Sequence, residues 1–194
     1  MMKQCKLISR WFATVFVVAL AIFLTSCSAD IDEYQGTEPK FDLFGYFAGQ
    51  SQAWGMVQDY RTMQTRRFHV TLHGVVQHNQ LTLDEQFVYD DGKTESRVWT
   101  ITREGEGRYI GRANGVIGEA VGQEMGNALR WQYRFHLKTE EHDLEVEFDD
   151  WLYRQDELHL FNTTTISKWG ATLGRVTLFF AKPAAVSPAN SSAQ

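Results

Sequence analysis

The chain has 194 residues, with 24 acidic and 19 basic side chains, a net charge of −5 and two cysteines. That balance argues against a nucleic-acid partner, which would call for a basic surface, and two cysteines rule out a disulfide-rich framework. The length suits one domain with a substantial core.

Lys3, Lys6 and Arg10 precede an uncharged run from Trp11 to Leu24, which leads into Leu24-Thr25-Ser26-Cys27. A positive end, a short apolar stretch and small residues before a boundary are the parts of a secretory signal, and the stretch is too short to span a bilayer comfortably. The cysteine after Leu-Thr-Ser makes residues 1–26 resemble a bacterial lipoprotein signal peptide, which implies cleavage before Cys27 and lipidation of its thiol. Ser28 at the next position then implies sorting to the outer membrane, with the domain facing the periplasm and held there by acyl chains. Cleavage would remove three basic residues and no acidic one, leaving 16 Lys and Arg against 24 Asp and Glu, a charge of about −8. With Cys5 removed and Cys27 lipidated no disulfide is available, so packing alone must stabilise the domain.

Residues 27–40 are polar and acidic and read as a tether between lipid and domain. The domain itself is expected over 41–182. It opens on the aromatic-rich stretch Phe41 to Phe47, which suits a short helix or a packed plug. Ala53 to Asp59 reads as a first strand carrying Trp54 and Met56 on one parity. Phe68, Val70, Leu72, Gly74 and Val76 then alternate with His69, Thr71 and His73 up to a turn at His78-Asn79.

Leu81 to Ile101 reads as a hairpin about Asp91-Gly92. Leu81, Leu83, Phe87 and Tyr89 share one parity, the period of a half-buried strand. Glu85 shares it too. On the return strand Arg97 shares the parity of Trp99 and Ile101. A turn at Asp90-Asp91-Gly92 pairs Leu83 with Trp99 and Glu85 with Arg97, which predicts an interior ion pair.

A glycine turn at Glu104 to Gly107 leads to a strand over Arg108–Val116. The connection Gly111 to Ala128 contains five glycines and has two readings: a lid over a binding site, or a bent strand kinked at a barrel corner. Leu129, Trp131, Tyr133, Phe135 and Leu137 alternate cleanly with Arg130, Gln132, Arg134, His136 and Lys138. After a turn at Glu140–Asp143 come Leu144, Val146, Phe148, Asp150 and Leu152, and after Gln155–Glu157 the strand Leu158 to Ile166. Val176, Leu178 and Phe180 close the series, and residues 183–194 read as a disordered tail.

About nine strands joined by short loops, with no long amphipathic helix, predict an all-β fold: an antiparallel up-and-down β-barrel of lipocalin-like architecture. A two-sheet sandwich is the alternative. An outer-membrane barrel is disfavoured because the clearest strand turns Arg, Gln, Arg, His and Lys outward, where lipid would require apolar side chains.

The stretches Asp32-Glu33-Tyr34-Gln35-Gly36-Thr37-Glu38-Pro39, Leu83-Asp84-Glu85-Gln86-Phe87, Arg97-Val98-Trp99, Gly126-Asn127-Ala128-Leu129, Phe148-Asp149-Asp150-Trp151 and Ser167-Lys168-Trp169-Gly170 make the chain resemble a proteobacterial lipoprotein family of unknown function, domain of unknown function 3833. The resemblance implies a single lipocalin-like domain in the cell envelope. It implies no activity and no catalytic residue.

Glu85 and Arg97 are the leading candidates for a ligand site, because interior charges are costly unless they pair or bind something. Arg97 suits an anionic head group, since its planar fork engages two oxygens at once. Asp150 is the third interior charge, and Trp54, Trp99, Tyr133 and Trp131 would line the apolar part. His69 and His73, two pleats apart on a strand at about 13 Å, cannot share a metal ion. Asp84-Glu85 and Asp149-Asp150 are strand neighbours pointing to opposite faces, so neither pair is a catalytic dyad. No metal, no cofactor and no catalytic constellation is expected. The leading expectation is a membrane-anchored envelope protein whose barrel binds an apolar, anionic small molecule such as a fatty acid or lipid derivative. The alternatives are a structural or assembly factor acting through its outer surface, and an enzyme on envelope lipids with Glu85 or Asp150 as general base.

Overall fold

In the computed structural model, which describes residues 29–138 and 143–183, ten strands follow one another in sequence order. They are β1 (Gly49–Asp59), β2 (Thr65–Gln77), β3 (Gln80–Tyr89), β4 (Thr94–Gly105), β5 (Arg108–Arg112), β6 (Val116–Met125), β7 (Ala128–Lys138), β8 (Asp143–Arg154), β9 (His159–Lys168) and β10 (Ala171–Ala181). Every strand is antiparallel to its chain neighbours, and β1 pairs with β10 to close the barrel. Closure leaves no unpaired sheet edge. The up-and-down barrel is therefore the architecture, and the sandwich is not.

The alternation that marks the strands in sequence also sets their faces. Leu81 and Leu83 on β3, Trp99 and Ile101 on β4, Leu129, Trp131 and Tyr133 on β7 and Leu160 on β9 are all buried inside the barrel. The hairpin register is as expected, with Leu83 opposite Trp99 and Glu85 opposite Arg97.

The count of ten strands rather than nine comes from the glycine-rich stretch. β5 stops at Arg112, a tight turn follows in which Val116 N–H donates to the Ala113 carbonyl at 3.1 Å, and β6 runs back along β5. The β6–β7 register shifts between Ile117 and Val121, around Gly118, whose φ is +75°. Neither reading holds whole: the stretch is sheet and not a lid, but it forms a hairpin in place of one strand over Arg108–Val116, and the expected kink falls within β6. Its glycines make room: an added Cβ would fall 2.4 Å from the Trp131 indole at Gly111 and 2.2 Å from it at Gly122.

Helix α1 (Leu43–Phe47) closes one end of the barrel, so the helix and plug readings of this stretch coincide. Asp42 caps it by accepting from Gly45 N–H at 3.1 Å, and Leu43, Phe44, Tyr46 and Phe47 are buried. Tyr46 donates its hydroxyl to the Leu158 carbonyl at 2.9 Å. The plug needs Gly74, because a Cβ there would sit 1.9 Å from the Phe47 carbonyl oxygen.

The segment read as a tether is docked from Ile31 onward. Residues Ile31–Tyr34 form a 3₁₀ turn on the outer wall, where Ile31 is buried with Ala128 and Trp151 and Tyr34 packs on the rings of Trp151 and Tyr153. Two apolar side chains in an otherwise polar stretch suffice to pin it. The expected signal segment with Cys27, the turn at residues 139–142 and the tail from 184 lie outside the described residues.

Candidate functional site

The two ends of the barrel interior differ. Near α1 the inward side chains are fully buried: Leu81 and Leu160 at 0%, Tyr109 and Leu129 at 1%. Toward the opposite end the inward side chains Phe87, Tyr89, Phe135, Leu137, Leu144 and Phe148 pack on the core yet remain partly exposed. The barrel interior is thus closed and fully packed at the α1 end and more accessible to solvent at the mouth.

Glu85, Arg97, Asp150 and Tyr133 lie at the boundary between the fully packed and the more accessible halves, on β3, β4, β8 and β7. The β7–β8 register sets Asp150 opposite Trp131 and Tyr133 opposite Phe148. Glu85 and Asp150 are enclosed by protein yet keep partial contact with solvent, as expected for groups that line an internal space. Burial raises each carboxyl from its ordinary value to about 7. Against that burial, Glu85 is steadied by the Arg97 charge and by the indole N–H of Trp99. For Asp150 the opposing influences are the Thr164 hydroxyl, which donates to it, then Arg97 and the Tyr133 hydroxyl. Burial also lifts the Tyr133 phenol well above its usual value, so it serves as a neutral donor.

Arg97 departs from the expected ion pair. Among the described residues its guanidinium closes no direct salt bridge on Glu85 or Asp150; it lies 4.9 Å from the centroid of the Phe135 ring and 5.5 Å from that of Phe87. Aromatic faces attract a cation while leaving its N–H donors unspent. Tyr133 and Phe148 stack at 5.0 Å, and Trp99 meets Tyr133 edge-on at 5.4 Å, giving the cluster rigid aromatic walls.

The structure therefore brings together Glu85, Arg97, Trp99, Tyr133 and Asp150, with Trp131 beneath them against Trp99 at 5.7 Å. It does not bring Trp54. That ring is 46% exposed on the outer wall, because the inward positions of β1 go to the small residues Ser51, Ala53 and Gly55. Phe68 fills the space over Gly55, where a Cβ would meet its ring at 2.5 Å. The residues the sequence reading missed are Thr164 and Asn162, buried polar side chains on β9, and the mouth phenylalanines Phe87, Phe135 and Phe148. Asn162 and Thr164 share the parity of Leu160 and Ile166, and polar residues at apolar positions were the available signal.

A groove of about 440 Å³ on the outside of β1–β3, reached by Gln50, Thr71, His73, Asp84 and Gln86, is separate from this interior cluster. Among the described residues no group of three or more His, Cys, Asp or Glu is placed to hold a metal ion. His69 faces outward and contacts Gln52 and Trp54.

The barrel is similar to two solved structures. One is the S-type phycobiliprotein lyase CPES from Guillardia theta, at a TM-score of 0.53 and 6% identity over 72% of this chain and 90% of that one. The other is Rv2717c from M. tuberculosis, at a TM-score of 0.55 and 15% identity over 76% of this chain and 99% of that one. At these identities the likeness carries the lipocalin-like fold alone. A search of curated proteins finds no match. Residues 21–182 match the family model described as protein of unknown function (DUF3833), and the chain belongs to that family.

Proposed function

We propose that this protein binds a small molecule with an apolar body and an anionic head, such as a fatty acid or lipid derivative, in the more accessible half of its barrel. The observation that carries this reading is Arg97: a guanidinium among aromatic rings, with no salt bridge on the carboxyls that share its space, beneath the partly exposed apolar side chains of the mouth. The head group enters first and meets Arg97. Glu85 and Asp150, held near 7, donate hydrogen bonds to the anion when neutral. Phe87, Phe135, Phe148, Leu137 and Leu144 cover the apolar body nearer the mouth. The partial exposure of these side chains without a ligand is what binding would remove.

The same proposal places the barrel at a membrane through lipidated Cys27, on the periplasmic face of the outer membrane, as the Leu24-Thr25-Ser26-Cys27 stretch supports. Native mass spectrometry of the protein extracted mildly from its membranes tests the binding reading. The expected spectrum carries an added mass that organic solvent extracts as an acidic lipid. A spectrum of bare protein that also takes up no added palmitate or oleate would overturn it.

A further inference from the structure

Outside the barrel, aromatic side chains on successive strands stand in a row. His69 on β2 faces Trp54 on β1, Trp54 faces Phe179 on β10, Phe179 faces Phe161 on β9, and Phe161 faces Tyr153 on β8, each as a direct cross-strand partner. Tyr34, from the docked N-terminal turn, ends the row on Tyr153. Ring centroids are 5.4 Å apart for His69 and Trp54, 6.3 Å for Trp54 and Phe179, 5.2 Å for Phe179 and Phe161, and 5.6 Å for Tyr153 and Tyr34. Trp54 and Phe161 are 46% and 45% exposed, so the row lies on the surface. Five adjacent strands each present an aromatic ring at one level, which is not needed to fill a core that lies on the other side of the sheet.

Two further observations identify what covers it. The first is charge. In a chain of net −5, the outward positions along β1, β9 and β10 hold no Asp or Glu between the strand ends; their polar residues are Gln, Thr and Ser, with Arg175 and His159 the ionisable ones. The acidic side chains Glu145, Glu147 and Asp149 sit further along β8, toward the mouth. The second is chain reach. Ile31 packs beside Trp151 at the Tyr34 end of the row, and only three residues lie between it and Cys27, a span of at most about 14 Å.

We infer that this row is a membrane-docking surface: it seats the barrel wall on the headgroup–acyl boundary of a lipid bilayer. Trp and Tyr favour that boundary because each combines an apolar ring with a polar group, and the carboxylate-free middle of β1, β9 and β10 avoids repulsion by anionic lipid, the nearby acids being Asp156, paired with His159, and Asp32 and Glu33 at the Tyr34 end. The seat is independent of the interior cluster and holds whether or not the barrel interior binds a ligand. It orients the barrel side-on, since the row runs across the strands and near the plugged half.

The test uses the full-length chain in phosphatidylethanolamine–phosphatidylglycerol vesicles whose acyl chains carry bromine, a short-range quencher of indole emission. The wild type is compared with Trp54→Phe and Trp169→Phe, both checked for native folding by circular dichroism. Trp169 is 92% exposed in the β9–β10 turn at the mouth, away from the row. The expected result is that Trp54→Phe loses part of the bromolipid quenching while Trp169→Phe loses none, and that vesicles shield Trp54 from iodide in the water. Equal quenching of wild type and Trp54→Phe would overturn the inference. So would Trp54 shielded from iodide in native membranes but untouched by bromolipid, the result expected if a protein partner covers the row.

Discussion

Glu85 and Arg97 stand directly opposite each other on β3 and β4, yet the guanidinium turns to the rings of Phe87 and Phe135 instead of closing on the carboxylate. A half-buried cation held this way keeps its hydrogen-bonding capacity for an incoming anion. Replacing Arg97 with Met keeps the stem and removes the charge. Hydrogen bonds to charged groups contribute about 1.5–3 kcal/mol, so Arg97→Met should weaken fatty-acid binding by roughly 10–100-fold with the fold retained. Isothermal titration with oleate measures it; unchanged affinity in a folded variant would remove Arg97 from the site.

The two interior carboxyls make stability depend on pH in an unusual direction. Their folded values, about 7, lie above the ordinary 4.5 for Glu85 and 3.8 for Asp150. The native state therefore holds protons that the unfolded chain has released. The destabilisation is absent below about pH 4, grows as pH rises and is complete above about pH 7. Urea denaturation should show a fold more stable at pH 5 than at pH 8 by about 2–3 kcal/mol from this cluster, and Glu85→Gln should remove much of that difference. Parallel pH profiles for wild type and Glu85→Gln would show that Glu85 is not the group responsible. Ligand binding follows the same sign: an anion beside these carboxyls favours their neutral forms, so affinity for oleate should rise between pH 8 and pH 6.

The closed end depends on the absence of one methyl group. At Gly74 a Cβ would lie 1.9 Å from the Phe47 carbonyl and 2.9 Å from its carbon, so Gly74→Ala must push backbone, not a flexible side chain. Overpacking of this kind costs about 1–3 kcal/mol. The expected result is a lowered Tm together with faster proteolysis within residues 41–48, because α1 is the element displaced. A lowered Tm with no change in that cleavage would locate the strain elsewhere.

Much of this was readable from side-chain parity. β3, β4, β7, β8 and β9 alternate so regularly that Glu85, Arg97, Tyr133 and Asp150 could be assigned to the interior before any coordinates, and the Asp91-Gly92 turn fixed which of them face each other. β6 was not readable, because GEAVGQEM has no alternation of polarity: its small inward residues, Ala120 and Gly122, are dictated by the Trp131 ring on a neighbouring strand. The same kind of remote cause turned Trp54 outward, since Phe68 and Leu178 already occupy the space inside β1 at Gly55. Where Arg97 points was also beyond sequence. Its choice between a carboxylate and two aromatic rings depends on distances across the barrel, and Phe135 comes from a strand that is not adjacent to β4 in the sheet.

The seam between β1 and β10 has a consequence for biogenesis. Gln52 through Asp59 pair with β2 on one edge, but on the other edge their partners are Gly174 through Ala181, so one side of the first strand waits for the last. During folding, β1 and β9 each present one bare backbone edge until β10 arrives, and contacts so distant along the chain form slowly. A nascent barrel of this topology is exposed to wrong partners for as long as the last strand is delayed, and its closure waits on the eleven residues of β10.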